Sequence, residues 1–208
     1  MLDYVRDPAE IYRRSFEIIR SEADLGRMPE DLAEVAVRVI HAAGTPAIAA
    51  DLAWTEDLVA AAKGALSAGA PIFVDTKMVA EGIIRRRLPA NNQVICTLYE
   101  EGVPAAAQRL GTTRSAAAVD FWGDHVEGAL VVIGNAPTAL FRLIERLMDG
   151  GARPAAVLGF PIGFVGAAES KEELIKAELG IPYLTLRGRR GGSALAAAAV
   201  NALGNNII

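Results

Sequence analysis

From residue 72 onward, short apolar, β-rich runs alternate with helical stretches, and this alternation constrains the fold more than any other feature of the chain. The runs are Ile72–Asp75, Val94–Leu98, Leu130–Gly134, Ala156–Gly159 and Tyr183–Arg187, and helices are predicted at Met78–Arg87, Ser115–Val126, Pro137–Met148, Lys171–Leu179 and Ser193–Leu203. Strands separated by helices point to a parallel sheet wrapped by helices. Before residue 72 the pattern is helical. Asp7-Pro8 supplies an N-cap and a proline at the first helical position, and Ile11, Ser15, Ile18 and Ile19 recur at helical spacing to about Asp24. Pro29-Glu30-Asp31 opens a second helix with Leu32, Val35, Ala36, Val39 and Ile40 facing inward until Gly44 stops it; Thr55 is expected to cap a third that ends before Gly69. No repeat or long linker divides the chain. Residues 1–208 therefore read as one α/β domain, three-layered and Rossmann-like, with a mainly parallel sheet and a helical N-terminal part.

Composition narrows the function. Hydrophobic residues make up 52% of the 208, much of the excess being alanine, which suits helices packed closely on a sheet. A net charge of −4 supplies no field that would draw the molecule to nucleic acid or an anionic membrane, so any anion binding must come from a local cluster. A single cysteine excludes an intrachain disulfide, Met1-Leu2-Asp3-Tyr4 opens without a basic-then-apolar leader, and apolar runs such as Ala194 to Val200 fall short of the ~20 residues a membrane span needs. A cytoplasmic protein is expected.

The chemical inventory is sparse. His41, His125 and Cys96 are the available nitrogen and sulfur ligands, and no pair of them has a zinc-like or iron-like spacing, which argues against a metal-dependent hydrolase. Phosphate-loop, dinucleotide and nucleophile-elbow motifs are absent, so neither a metal nor a cofactor is expected. In an open parallel sheet ligands bind beyond the carboxyl ends of the strands. The segments there are Asp75-Thr76-Lys77, Gly134-Asn135-Ala136-Pro137-Thr138, the stretch from Gly159 to Ser170-Lys171, and Arg187-Gly188-Arg189-Arg190-Gly191-Gly192-Ser193. Glycine lets backbone N–H groups approach a ligand, and helix N-termini favour anions. Lysine and arginine gather in the same stretches, so the expected ligand carries several negative groups, each charged hydrogen bond contributing roughly 1.5–3 kcal/mol. Ordinary βα turns with solvated charges are the plainer alternative.

His41 ends an amphipathic helix. It is either a packed, satisfied imidazole or an acid, because the last turn of a helix stabilises an imidazolium by up to ~2 kcal/mol in partly buried sites. Ser15 shares a helical face with Ile11 and Ile18, where its hydroxyl bonds either backbone or ligand. Thr113 or Thr112 caps the helix that begins at Thr113-Arg114-Ser115, and Arg114 is either a surface ion-pair member or a carboxylate clamp. Cys96 reads as inert core, His125 as exposed, and Arg85-Arg86-Arg87 as a charge match to a helix C-terminus.

Taken together, these segments resemble the precorrin-8X methylmutase family. The resemblance is carried by Tyr12-x-x-Ser15-Phe16-x-Ile18-Ile19-x-x-Glu22-Ala23, His41-Ala42-x-Gly44, Gly69-Ala70-Pro71-Ile72 with Asp75-x-x-Met78-Val79, Thr113-Arg114-Ser115-Ala116, Gly134 to Leu140, Gly163 to Lys171, and Gly191-Gly192-Ser193. It implies an isomerase of cobalamin biosynthesis that moves one methyl group on a corrin precursor, with or without cobalt, from ring carbon 11 to carbon 12, in a site at a homodimer interface. By that resemblance His41 is the acid, Ser15 and Arg114 surround the tetrapyrrole, and Thr113, Asn135, Thr138, Ser170, Lys171, Arg189, Gly191, Gly192 and Ser193 are expected to bind it. Asp75-Thr76-Lys77 lies where the family varies, so Thr76 and Lys77 are left as rim contacts. The independent reading agrees: the acid arms of such a substrate explain anion-binding loops on an acidic protein, and an intramolecular shift needs one acid and a shaped cavity. The competing readings are a non-catalytic tetrapyrrole carrier and a nucleotide- or coenzyme A-linked transferase, the latter without any phosphate fingerprint.

Overall fold

A computed structural model describes residues 2–204. Met1, in the segment read for a leader, and residues 205–208, the end of the expected domain, lie outside the described residues. The elements run α1 (Pro8–Glu22), α2 (Glu30–Ala43), β1 (Leu52–Trp54), α3 (Leu58–Ser67), β2 (Ile72–Val74), α4 (Lys77–Gly82), β3 (Val94–Ile95), α5 (Val103–Leu110), α6 (Arg114–Asp120), β4 (Leu130–Ile133), α7 (Pro137–Met148), β5 (Ala156–Gly159), α8 (Ala167–Lys176), β6 (Tyr183–Leu186) and α9 (Ser193–Leu203). The strands form one six-stranded sheet in the order β1-β6-β5-β4-β2-β3. All neighbours are parallel except β1, which pairs antiparallel with β6 at one edge.

Every side chain of β2, β4 and β5 is buried, because helices cover both faces of the sheet. Alternate residues serve opposite cores. Ile72, Val74, Leu130, Val132, Ala156 and Leu158 pack with α2, α3 and α9, whereas Phe73, Val131, Ile133 and Val157 pack with α7 and α8. The result is the expected three-layered α/β sheet. A Cβ at Gly134, just past β4, would meet Val79 Cγ2 at 2.5 Å and Ala196 Cβ at 2.9 Å, so this glycine is required for α4 and α9 to close on the sheet.

Several expectations need correction. The edge strand β1 went unread, since three residues are too few to display a period. The run Val94–Leu98 pairs only through Ile95. It then turns into a 3₁₀ segment at Thr97–Tyr99, where Thr97 Oγ1 donates to the Ala118 carbonyl and accepts from Trp122 Nε1. The helix predicted over Met78–Arg87 stops at Gly82, because the Asn201 side chain donates to the Gly82 carbonyl and accepts from Ile84 N–H. Arg85–Arg87 is a separate 3₁₀ turn and not the end of that helix. The Ser115–Val126 stretch is α6 followed by a 3₁₀ turn at Gly123–Val126. Thr55 does not cap α3; its Oγ1 accepts from Tyr183 N–H and staples β6. The helical face shared by Ile11, Ser15 and Ile18 does not enter the core. Ile11 and Ile18 are exposed, and α1 sits on α2 through Phe16 and Ile19.

Candidate active site

The last turn of α2 presents His41 where the sequence places it, one residue pair before Gly44 ends the helix in the left-handed conformation (φ 65°). The neighbouring α1 supplies the rest of the arrangement. Ser15 Oγ lies 2.8 Å from His41 Nδ1, and the rings of Tyr12 and Phe16 stand 5.6 and 5.5 Å from the imidazole, Phe16 edge-on at 90°. Nδ1 is thereby engaged, and Nε2 is the nitrogen left to exchange a proton with a ligand. In place of a backbone bond the Ser15 hydroxyl meets the imidazole, and it lies on the groove wall, where a ligand can reach it. His41 is exposed, so it is not a packed core residue. Both Ser15 and His41 line a groove of about 430 Å³ that runs between α1 and the segment Gly44-Thr45-Pro46, with Val5, Ile11 and Ile18 on its walls. Substituting Ser15 by alanine should cut turnover by about tenfold, the worth of one hydrogen bond that orients the imidazole, with a smaller effect on KM. Steady-state kinetics of S15A would show this, and an unchanged kcat would remove Ser15 from the site.

At the carboxyl ends of the strands the loops fasten to one another. The strand order reverses between β2 and β4, the usual position of a binding crevice in such sheets. Here a protein carboxylate fills it: buried Asp75 accepts Gly134 N–H on Oδ1 (2.8 Å) and Asn135 and Ala136 N–H on Oδ2 (2.9 and 2.7 Å). Burial pushes the Asp75 carboxyl up, and these N–H groups hold it back toward its charged form. The anion expected before α7 is therefore internal, and the Asn135 backbone donor is already engaged; the residue itself is exposed. Thr113 caps α6 by accepting Ala116 N–H, and its Oγ1 lies 2.7 Å from Thr138 Oγ1. Arg114 is exposed beside this pair, and no hydrogen bond or ion pair joins it to Ser15 or His41 among the described residues. Arg189 is exposed, with its guanidinium 5.2 Å over the Phe164 ring and its carbonyl accepting Gly163 N–H. A Cβ at Gly191 would strike the Phe160 and Pro161 carbonyls, Gly192 (φ 120°) donates its N–H to Phe160, and Ser193 begins α9 half-buried. These three shape the loop.

Ser170 and Lys171 are displaced from the ligand-binding role expected of them. Both are 0% exposed in α8, where Ser170 Oγ donates to the Ala167 carbonyl and Lys171 Nζ donates at 2.6 Å to the Arg190 carbonyl. The lysine anchors the Arg187–Ser193 loop from beneath. Burial pushes its ammonium down to about 8. An unfolded lysine keeps its proton to about 10.4, so between these values the unfolded chain binds more protons and stability rises with pH. Denaturant unfolding should show a gain of up to about 3 kcal/mol from pH 8 to 10 in the native chain that is missing in Lys171→Met. Equal pH slopes in the two proteins would show that the buried ammonium carries no penalty.

Cys96 is half-buried and burial raises its thiol, as suits core, and His125 is exposed as expected. The sequence reading missed Tyr12 and Phe16 as the rings packed against His41. Their spacing of four around Ser15 is the signal that could have found them, since i, i+3 and i+4 residues share a helical face.

A mainly parallel, helix-wrapped sheet with a serine-held imidazole lining an open groove puts the chain among α/β proteins whose site is equipped for acid–base chemistry. The chain belongs to the precorrin-8X methylmutase family, whose description it matches over residues 10–206, and it is accordingly an isomerase. It is 59% identical over 203 residues to the precorrin-8X methylmutase of Pseudomonas aeruginosa, with 98% of each chain covered. Against the precorrin-8X methylmutase of Sinorhizobium sp. the identity is 54%, covering 97% of this chain and 96% of that one. The cobalt-precorrin-8 methylmutase of Salmonella typhimurium is 39% identical, with 97% of each covered. Among solved structures, the precorrin-8x methyl mutase of Thermus thermophilus matches with a TM-score of 0.82 at 38% identity, covering 93% of this chain and 94% of that one.

Proposed function

We propose that this protein moves a methyl group from ring carbon 11 to carbon 12 of precorrin-8X in cobalamin biosynthesis, with His41 as the acid. The observation that carries the reading is the Ser15–His41 hydrogen bond in an open groove, within a chain whose family match spans nearly its whole length. Protonation of the macrocycle by Nε2 withdraws electron density from its π-system, which eases migration of the methyl group to the adjacent carbon; the proton is given back as the ring system relaxes, so the net change is an isomerisation. The identities of 59% and 54% to precorrin-8X enzymes, against 39% to a cobalt-precorrin-8 enzyme, favour the cobalt-free substrate.

The active unit in this proposal is a homodimer of the 1–208 domain. A tetrapyrrole with its acid arms outspreads a groove of about 430 Å³, and the exposed apolar side chains of Val5, Ile11 and Ile18 line that groove. A second copy would close it, and we assign the exposed Arg114, with Thr113, Thr138, Asn135 and Arg189, to the substrate's carboxylates in the completed pocket. Among the described residues no helix is long and apolar enough to cross a membrane, and the proposal places the enzyme in the cytoplasm. Incubation with excess precorrin-8X tests the reading. Orange corrin should form well beyond one equivalent of protein; none formed, or a stoichiometric amount only, would contradict catalysis. No observation favours a non-catalytic carrier.

A further inference from the structure

On the other side of α1 from the Ser15 groove lies a second concavity, of about 370 Å³, walled by the Tyr12 and Phe16 rings and by four guanidinium groups. Two of these are satisfied within the protein: Arg13 bonds Glu10 and Glu17, and Arg20 bonds both oxygens of Glu34. The other two, Arg38 of α2 and Arg87 of the 3₁₀ turn after α4, have no carboxylate within ion-pair distance among the described residues. Both are half-buried, and the Arg38 guanidinium lies 5.0 Å over the Phe16 ring. Burial and the neighbouring Arg87 charge lower Arg38, and Glu34 offsets this only in part; Glu34 and the wall residue Glu17 are bonded to Arg20 and Arg13, so two like charges face one concavity without a carboxylate of their own among the described residues. Such a pair is unfavourable in the empty protein and becomes favourable when an anion bridges it.

The position ties this pair to the chemistry. Arg38 and His41 are three residues apart, hence on the same face of α2 and separated by about 4.5 Å along its axis. Tyr12 and Phe16, which wall the arginine concavity, are the rings packed against His41. We infer that Arg38 and Arg87 form a carboxylate subsite, next to His41 across the Tyr12–Phe16 pair, that holds one acid arm of the macrocycle. The inference rests on the precorrin-8X substrate proposed above and adds to it a group that sets where the ring lies relative to the imidazole.

The test is absorbance titration of the orange acid corrin, and of the same corrin with its side-chain carboxylates esterified, into the full-length native protein, Arg38→Gln and Arg87→Gln. Each substitution should weaken binding of the acid corrin about tenfold, the double variant by less than the product of the two, and neither should alter binding of the ester. Unchanged binding of the acid corrin would overturn the subsite. So would an equal loss for acid and ester, which would assign the arginines to packing; if sedimentation then showed dissociation of an oligomer, their anion would belong to a second copy of the chain. Should the native protein bind no corrin, the functional reading fails, and titration with free propionate followed at the arginine Nε–H resonances decides the subsite separately. Shifts at Arg38 and Arg87 sustain it, and none refute it.

Discussion

Substituting His41 by alanine should reduce turnover of precorrin-8X by about 10²- to 10⁴-fold while substrate affinity changes less than tenfold. The asymmetry follows from the geometry. His41 is one of twelve described residues lining the groove, so its loss removes a small part of the contact surface. The other ionisable groups among the described residues lining that groove are Glu22 and Arg14, Arg14 being paired with Glu10, and no hydrogen bond joins Glu22 to the imidazole. His41→Gln separates acid chemistry from hydrogen bonding, because glutamine can still bond Ser15 yet cannot release a proton near neutrality. Both variants should bind precorrin-8X and neither should turn it over at more than about a hundredth of the native rate. Native kcat in His41→Gln would show that hydrogen bonding alone suffices.

The largest stability effect is expected at Asp75. Alanine there strands the N–H groups of Gly134, Asn135 and Ala136 in the interior, at the point where β4 hands over to α7. Each bond to a carboxylate contributes roughly 1.5–3 kcal/mol, and removing the buried charge returns part of the sum, so a net loss of about 3–5 kcal/mol is expected. Against a total of about 5–15 kcal/mol for a domain, that is a large fraction. Asparagine can place its oxygen toward Asn135 and Ala136 but then turns its NH₂ group on Gly134 N–H, leaving one donor unpaired and costing about 1–3 kcal/mol. Urea unfolding of the two variants should therefore rank them native, asparagine, alanine. A loss below 1 kcal/mol for alanine would mean that water or a rearranged loop satisfies the three donors.

How far the residues spoke for themselves differs between the sheet and the site. The parallel strands were legible because burial on both faces leaves unbroken apolar runs in β2, β4, β5 and most of β6. β1 and α5 were not: the first is three residues long, and the second is an eight-residue, alanine-rich helix marked only by Pro104 near its start and Gly111 at its end. His41 and Ser15 were each legible as candidates, but their contact spans 26 residues of sequence and depends on how α1 crosses α2. The glycine-rich loops misled in one respect. Their N–H groups and cations looked free for a ligand, yet Asp75 takes the donors before α7 and Lys171 turns inward to hold the Arg190 carbonyl. Loop composition signals anion-binding capacity without revealing whether the anion is the protein's own.

The central claim, that this groove and its imidazole move a carbon substituent within one macrocycle, is tested most directly by isotopic tracing. Precorrin-8X carrying ¹³C in the methyl group on ring carbon 11 should be incubated with the native protein and followed by ¹³C NMR. The account predicts that the labelled methyl signal is replaced by that of a methyl on carbon 12 of the same, still fully labelled molecule, and that this does not occur with His41→Gln. A label that stays on carbon 11 while the substrate is demonstrably bound would contradict it.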